Sequence, residues 1–171
     1  MKVDWEEYAD RIHLDDSLYN QDVMQRTRME EIAKRCEGVV LDVGAGDGFL
    51  QHLLKLKGLE SLGTEVSDTR ITNARDKYDV QVIRGDINEL EIGDDQFDTV
   101  VATEVLEHTK NPGQGLKEMC RIAKKKVIFT LPVGEFNDST HQWKIDGVYI
   151  PKTGDDDKQG EGIILIEMEK K

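Results

Sequence analysis

From Val39 to Leu131, short runs rich in β-branched residues alternate with segments whose apolar residues recur at helical spacing. That alternation is the pattern of a mostly parallel sheet connected by crossover helices, so the chain is expected to be an α/β protein. The expected strands are Val39 to Val43, Ser61 to Glu65, Val80 to Arg84, Phe97 to Ala102 and Lys126 to Leu131. Each is short and apolar enough to be buried on both faces. Between them, Ile71, Ala74, Arg75 and Tyr78, and later Leu116, Met119, Cys120 and Ala123, fall at i, i+3, i+4, i+7, with Pro112 placed to open the second helix.

The flanks read differently. Residues 4 to 36 look helical, and the stripe Met29, Ile32, Ala33, Cys36 stops at Gly38. Residues 132 to 147 carry turn residues and aromatics without a helical period, and Gly147 to Ile150 with Ile163 to Met168 suggest a C-terminal hairpin. With 171 residues, 37% of them hydrophobic, there is material for one core and not two. The expected organisation is therefore a single domain, 1–171. It comprises an N-terminal helical layer, 1–37, a central unit, 38–131, and a loop with a β-hairpin, 132–171.

Charge limits what such a domain can bind. Twenty-three basic against thirty-five acidic residues give a net charge of −12, which disfavours extended duplex nucleic acid as a partner. The opening Met-Lys-Val-Asp-Trp-Glu-Glu has no apolar leader core, and no stretch is apolar for the length of a membrane span, so a cytoplasmic protein is expected. Cys36 and Cys120 fall within helix-period segments and offer neither a disulfide framework nor a zinc cluster.

The chemistry is concentrated after the first strand. Val40-Leu41-Asp42-Val43-Gly44-Ala45-Gly46-Asp47-Gly48 runs a buried strand into a glycine-rich turn and then a helix. Glycines at 44 and 46 permit a tight turn and close approach of backbone to a ligand. Glu65 ends the second strand, 21 residues after Gly44, where a carboxylate can accept both hydroxyls of a ribose. A dinucleotide-binding loop would want glycine or alanine at 49, where this chain has Phe49. Asp42 would repel a pyrophosphate but suits an ammonium and a sulfonium, the charges of S-adenosylmethionine.

These segments resemble the class I S-adenosylmethionine-dependent methyltransferases, in the group called methyltransferase type 11. The resemblance rests on Leu41 to Gly48, Gly63-Thr64-Glu65, Arg84-Gly85-Asp86-Ile87 and Phe97 to His108, in that order, and covers about Gly38 to Pro132. It implies a Rossmann-like, mostly parallel seven-stranded sheet of order 3-2-1-4-5-7-6 with the last strand antiparallel. It also implies S-adenosyl-L-methionine as cofactor, with Asp42, Gly44, Ala45 and Gly46 at its methionine part and Glu65, followed by Val66, at the ribose. Asp86 and Ile87 would serve the adenine and Thr103 the methionine end. Asp86 also reads as a plain turn residue after Gly85.

The acceptor is less legible. Glu107 and His108 follow the fourth strand and His141 lies in the later loop, and these are the candidate catalytic groups if a hydroxyl must be deprotonated. Glu104, Glu107 and His108 are spaced i, i+3, i+4, which on one helical turn, with His141, would make a divalent-metal set. The other reading of that run is the usual wording of this turn, with no metal. Ubiquinone-pathway O-methyltransferases and enzymes that methylate small-RNA 3′ ends carry a similar run. Trp143, Trp5, Tyr8 and Tyr19 are candidates to close an acceptor pocket. The region after Leu131 is short, so the pocket is expected to be open or to be completed by a protein partner or a second copy. The leading expectation is a methyltransferase acting on a small molecule. The alternatives are a cofactor-binding module without catalysis and a nucleotide-dependent oxidoreductase.

Overall fold

A computed structural model describes residues 23–133 and 162–170. In chain order it contains helix α1 (Val23–Arg35), β1 (Val40–Val43), α2 (Phe49–Leu56), β2 (Ser61–Glu65), α3 (Asp68–Tyr78) and β3 (Val82–Arg84). There follow β4 (Phe97–Thr103), a 3-10 turn (Leu106–His108), α4 (Pro112–Ile122), β5 (Ala123–Val133) and β6 (Gly162–Glu169). The strands form one sheet of order β3-β2-β1-β4-β5-β6. All neighbours run parallel except β5 and β6, which pair antiparallel from Lys126 opposite Glu169 to Val133 opposite Gly162.

The expected Rossmann-like α/β fold is therefore present, with six strands among the described residues where seven were expected. The strand beside β5 is the last and antiparallel one, as the expected order requires. The remaining expected strand, Gly147 to Ile150, and the helical reading of residues 4 to 22 lie outside the described residues. The largest departures from the expected strand boundaries are at β3 and β5. β3 starts at Val82 rather than Val80, since Asp79 turns the chain through the left-handed region and the Val80 side chain is placed against Gly48. β5 is longer than Lys126 to Leu131 because β4 pairs with it from Ala123 and β6 pairs with it as far as Val133.

Alternation along the buried strands sends side chains to both faces, and each face has its own core. One holds Leu41, Val43, Ile87, Leu90, Val100, Ala102, Leu106, Met119, Ile122 and Val127. The other joins Val40, Val101 and Ile128 of the sheet to Met29, Ile32, Ala33 and Cys36 of the α1 stripe and to Phe49, Leu50 and Leu54 of α2. Helix ends follow local chemistry: the Ser67 hydroxyl accepts from the Arg70 amide to start α3, and Asn111 caps α4 ahead of Pro112. No helix among the described residues is long and apolar enough to cross a membrane.

Leu54 is fully buried where α1, α2 and the sheet meet. Leu54→Ala is expected to cost about 2–5 kcal/mol of stability, the range for a large-to-small change in a core that relaxes only partly. Urea unfolding of the two proteins measures it, and a loss well under 1 kcal/mol would mean that α2 is not packed as described.

Candidate functional site

In an open sheet of this topology, ligands sit at the carboxyl ends of the strands where the strand order reverses. Here that place lies between β1 and β4, and the glycine turn springs from it. The Gly44 and Ala45 amides both donate to the Thr64 carbonyl, at 2.8 and 2.9 Å, which stitches the start of the turn to β2. Gly44, Gly46 and Gly48 all have positive φ. A Cβ on Gly44 would lie 2.5 Å from Val105 Cγ2, so the segment after β4 packs directly against the turn.

Glu65 holds the turn from the other side. One carboxylate oxygen accepts from the Gly46 amide at 2.9 Å, and the second accepts from Val66 at 2.7 Å and Ser67 at 3.2 Å. The residue is 5% exposed. Asp47, also buried, is tethered to α3 through Asn73 Nδ2 at 3.3 Å and Lys77 Nζ at 3.6 Å. The turn is thus pre-shaped by β2 and α3, and little ordering is left for a ligand to impose.

Asp42 lies one strand residue before the turn and is 2% exposed. Its Oδ2 is buried without a hydrogen-bond partner, as is Thr103 Oγ1. Burial, and then the nearby charge of Glu65, push the Asp42 carboxyl up to about 7. Two orphaned polar oxygens and a glycine cradle fit a polar, positively charged ligand, and a buried carboxyl behind the turn does not fit a pyrophosphate.

The remaining expected residues are placed as follows. Asp86 is exposed at the end of β3, and its Oδ1 takes the Asn88 amide and side-chain donor at 2.8 and 3.1 Å, so its turn role is present. The Ile87 side chain is buried in the core beside Gly115. Val66 spends its amide on Glu65. Glu107 is 2% exposed and His108 is half-buried, both on the 3-10 turn.

The expected single helical turn through Glu104, Glu107 and His108 is not formed. Glu104 takes a left-handed conformation (φ 54), donates its amide to Thr130 Oγ1 and pairs with Arg28 at 2.8 Å, which places it outside the 3-10 turn. Among the described residues no three His, Cys, Asp or Glu side chains come together to hold a metal ion. His141, Trp143, Trp5, Tyr8 and Tyr19 lie outside the described residues.

Arg28 is a residue that sequence reasoning missed. It lies one helical turn before Ile32 on α1, and its ion pair with Glu104 anchors that helix at the carboxyl end of β4. The available signal was a cation four residues ahead of an apolar stripe position.

A family model described as a methyltransferase domain matches residues 41–131. The chain is 26% identical over 97 residues to the probable S-adenosylmethionine-dependent methyltransferase of Mycobacterium tuberculosis, covering 56% of this chain and 35% of that protein. It is 30% identical over 115 residues to the ubiquinone biosynthesis O-methyltransferase of Alkalilimnicola ehrlichii, covering 60% and 47%. It therefore spans less than half the length of these curated relatives. Among solved structures, a SAM-dependent methyltransferase from Thermotoga maritima superposes with a TM-score of 0.63 at 23% identity, covering 74% of this chain and 61% of that one. A complex of the Haloferax volcanii Trm112 methyltransferase activator with a methyltransferase gives 0.61 at 23% identity, covering 74% and 58%. At that identity the two structures speak for the fold.

Proposed function

The chain belongs to the methyltransferase domain family, and we propose that it binds S-adenosylmethionine and transfers its methyl group to a small-molecule acceptor. One observation carries the reading: the glycine turn is flanked by two buried acids, Asp42 behind it and Glu65 clasping it, a charge pattern suited to a cation linked to a ribose. The backbone of Gly44, Ala45 and Gly46, with Thr103, would hold the methionine part. Glu65 and the Val66 segment would meet the ribose, and Asp86 and Ile87 the adenine.

When bound, this cofactor supplies a methyl group on a positively charged sulfur, ready for in-line displacement. What the chain contributes is orientation of the two reactants and exclusion of water. For a hydroxyl acceptor, the half-buried His108 on the 3-10 turn after β4 is the candidate base, with Glu107 beside it and His141 as a further candidate. The ubiquinone biosynthesis O-methyltransferases among its relatives support a hydroxyl-bearing small molecule. The Haloferax complex supports a variant of the same reading, in which a protein partner completes the acceptor side.

Calorimetric titration of the purified chain tests the proposal. S-adenosylmethionine and S-adenosylhomocysteine are expected to bind in the micromolar range and NAD not at all. A positive result leads to a methyl-transfer screen of hydroxyl acceptors. Failure of both sulfur ligands to bind, or competition by NAD for the Glu65 site, would overturn it.

A further inference from the structure

Asp42 pairs with Val101 across β1 and β4, and alternation places Asp42, Val101 and Thr103 on one face of the sheet. On that face the Asp42 Oδ2 and Thr103 Oγ1 atoms are both buried and unpartnered. The charged and titratable groups around it come from β2, from α1 and from the residue that directly follows α1. β2 contributes Glu65, whose two oxygens are occupied by three backbone amides. Cys36, directly after α1, has its thiol donating to the Ile32 carbonyl and pushed up to about 12 chiefly by burial. α1 contributes Arg28, which is ion-paired with Glu104 beyond β4. Among the described residues, the charge that acts on Asp42 is the negative one of Glu65. An ionised Asp42 would therefore bear the desolvation of a charge and like-charge repulsion together, whereas a neutral one escapes the repulsion and bears only the smaller cost of a buried polar group.

We propose that Asp42 is protonated in the ligand-free protein at neutral pH and below and releases that proton to solvent when a sulfonium comes to lie beside it, so that it distinguishes a sulfonium from a thioether although both ligands carry the same ammonium. The step is a simple dissociation. The Asp42 O–H bond breaks, the proton passes to the buffer, and the carboxylate left behind is neutralised by the ligand's positive charge. The inference rests on the S-adenosylmethionine reading above. It adds that cofactor capture is coupled to a proton, and that the uncharged sulfur of S-adenosylhomocysteine weakens the coupling and favours product release.

The sign follows from linkage. The free site binds the proton and the loaded site does not, so acid competes with the cofactor. With the Asp42 carboxyl raised to about 7 by burial and by Glu65, affinity for S-adenosylmethionine is expected to fall about tenfold between about pH 8 and about pH 6. S-adenosylhomocysteine is expected to change much less.

Calorimetry of the whole chain with each ligand, at several pH values and in two buffers of different ionisation heat, reads both affinity and protons released. Carbon-13 NMR of the aspartate carboxyls in the ligand-free protein reads the Asp42 titration directly. The expected results are proton release near neutrality with S-adenosylmethionine, little with S-adenosylhomocysteine, and loss of both release and pH dependence in Asp42→Asn. Binding of S-adenosylmethionine without proton exchange, or equal release with both ligands, would overturn the proposal. If neither ligand binds, the cofactor reading fails on its own. The NMR titration still decides the protonation, and a midpoint in the ordinary carboxylate range overturns it even if Asp42→Asn does not fold.

Discussion

Gly44→Ala is expected to weaken S-adenosylmethionine binding by about 5–150-fold, the equivalent of about 1–3 kcal/mol of overpacking. Two physical effects coincide at this position. The backbone sits at φ 70, where a side chain is strained by roughly 1–2 kcal/mol. The new methyl would also lie 2.5 Å from Val105 Cγ2, so either the turn or the segment after β4 must move. Movement at that place shifts the backbone of the turn that would face the ligand. Gly58→Ala supplies the control, because Gly58 has a comparable φ of 74 but nothing within 4 Å of an added Cβ. Both variants should lose similar stability from backbone strain, and only Gly44→Ala should lose cofactor affinity. Equal affinity in the two, measured by calorimetry, would mean that the turn does not shape the site.

Glu65→Ala is expected to act on stability and on binding, and the two effects can be separated. Removing the carboxylate strips acceptors from the amides of Gly46, Val66 and Ser67, and each donor left buried costs about 1–3 kcal/mol. Chemical denaturation should show a drop of at least about 1–3 kcal/mol, because the Ser67 hydrogen bond is buried and those of Gly46 and Val66 are partly so. Binding of S-adenosylmethionine by the protein that remains folded should weaken by a further 1–3 kcal/mol or so, about 5–150-fold, if the same carboxylate meets the ribose. A stability loss with unchanged affinity would leave Glu65 as a clasp on the glycine turn and remove it from the ribose site. The variant has a third consequence, since it takes away the charge that helps to raise the Asp42 carboxyl, which should then titrate lower.

Much of this architecture was legible because its determinants are local. The β-branched runs and the helical stripes located β1, β2, β4, α3 and α4 to within a few residues. The stripe Met29, Ile32, Ala33 and Cys36 identified the buried face of α1. The glycine turn was legible for the same reason: its backbone demands glycine at fixed positions, and those positions are visible in any register. The position of Glu65 at the end of β2 was legible because the strand itself was, whereas its clasp on the glycine turn was not.

The places where expectation and structure part are those where a neighbour distant in sequence decides. Glu104, Glu107 and His108 have the spacing of one helical face, but Arg28, 76 residues earlier, and the Thr130 hydroxyl draw Glu104 away from that turn. The sequence alone determined that this chain builds a parallel α/β sheet with a glycine turn and an acid at the end of the next strand, because hydrophobic period and glycine placement act over a few residues. Only the tertiary structure decided that Glu65 clasps Gly46, that Asp42 is sealed behind it without a partner, and that Arg28 is brought to Glu104. Burial and the pairing of charges are properties of chain segments brought together, and spacing along the chain does not contain them.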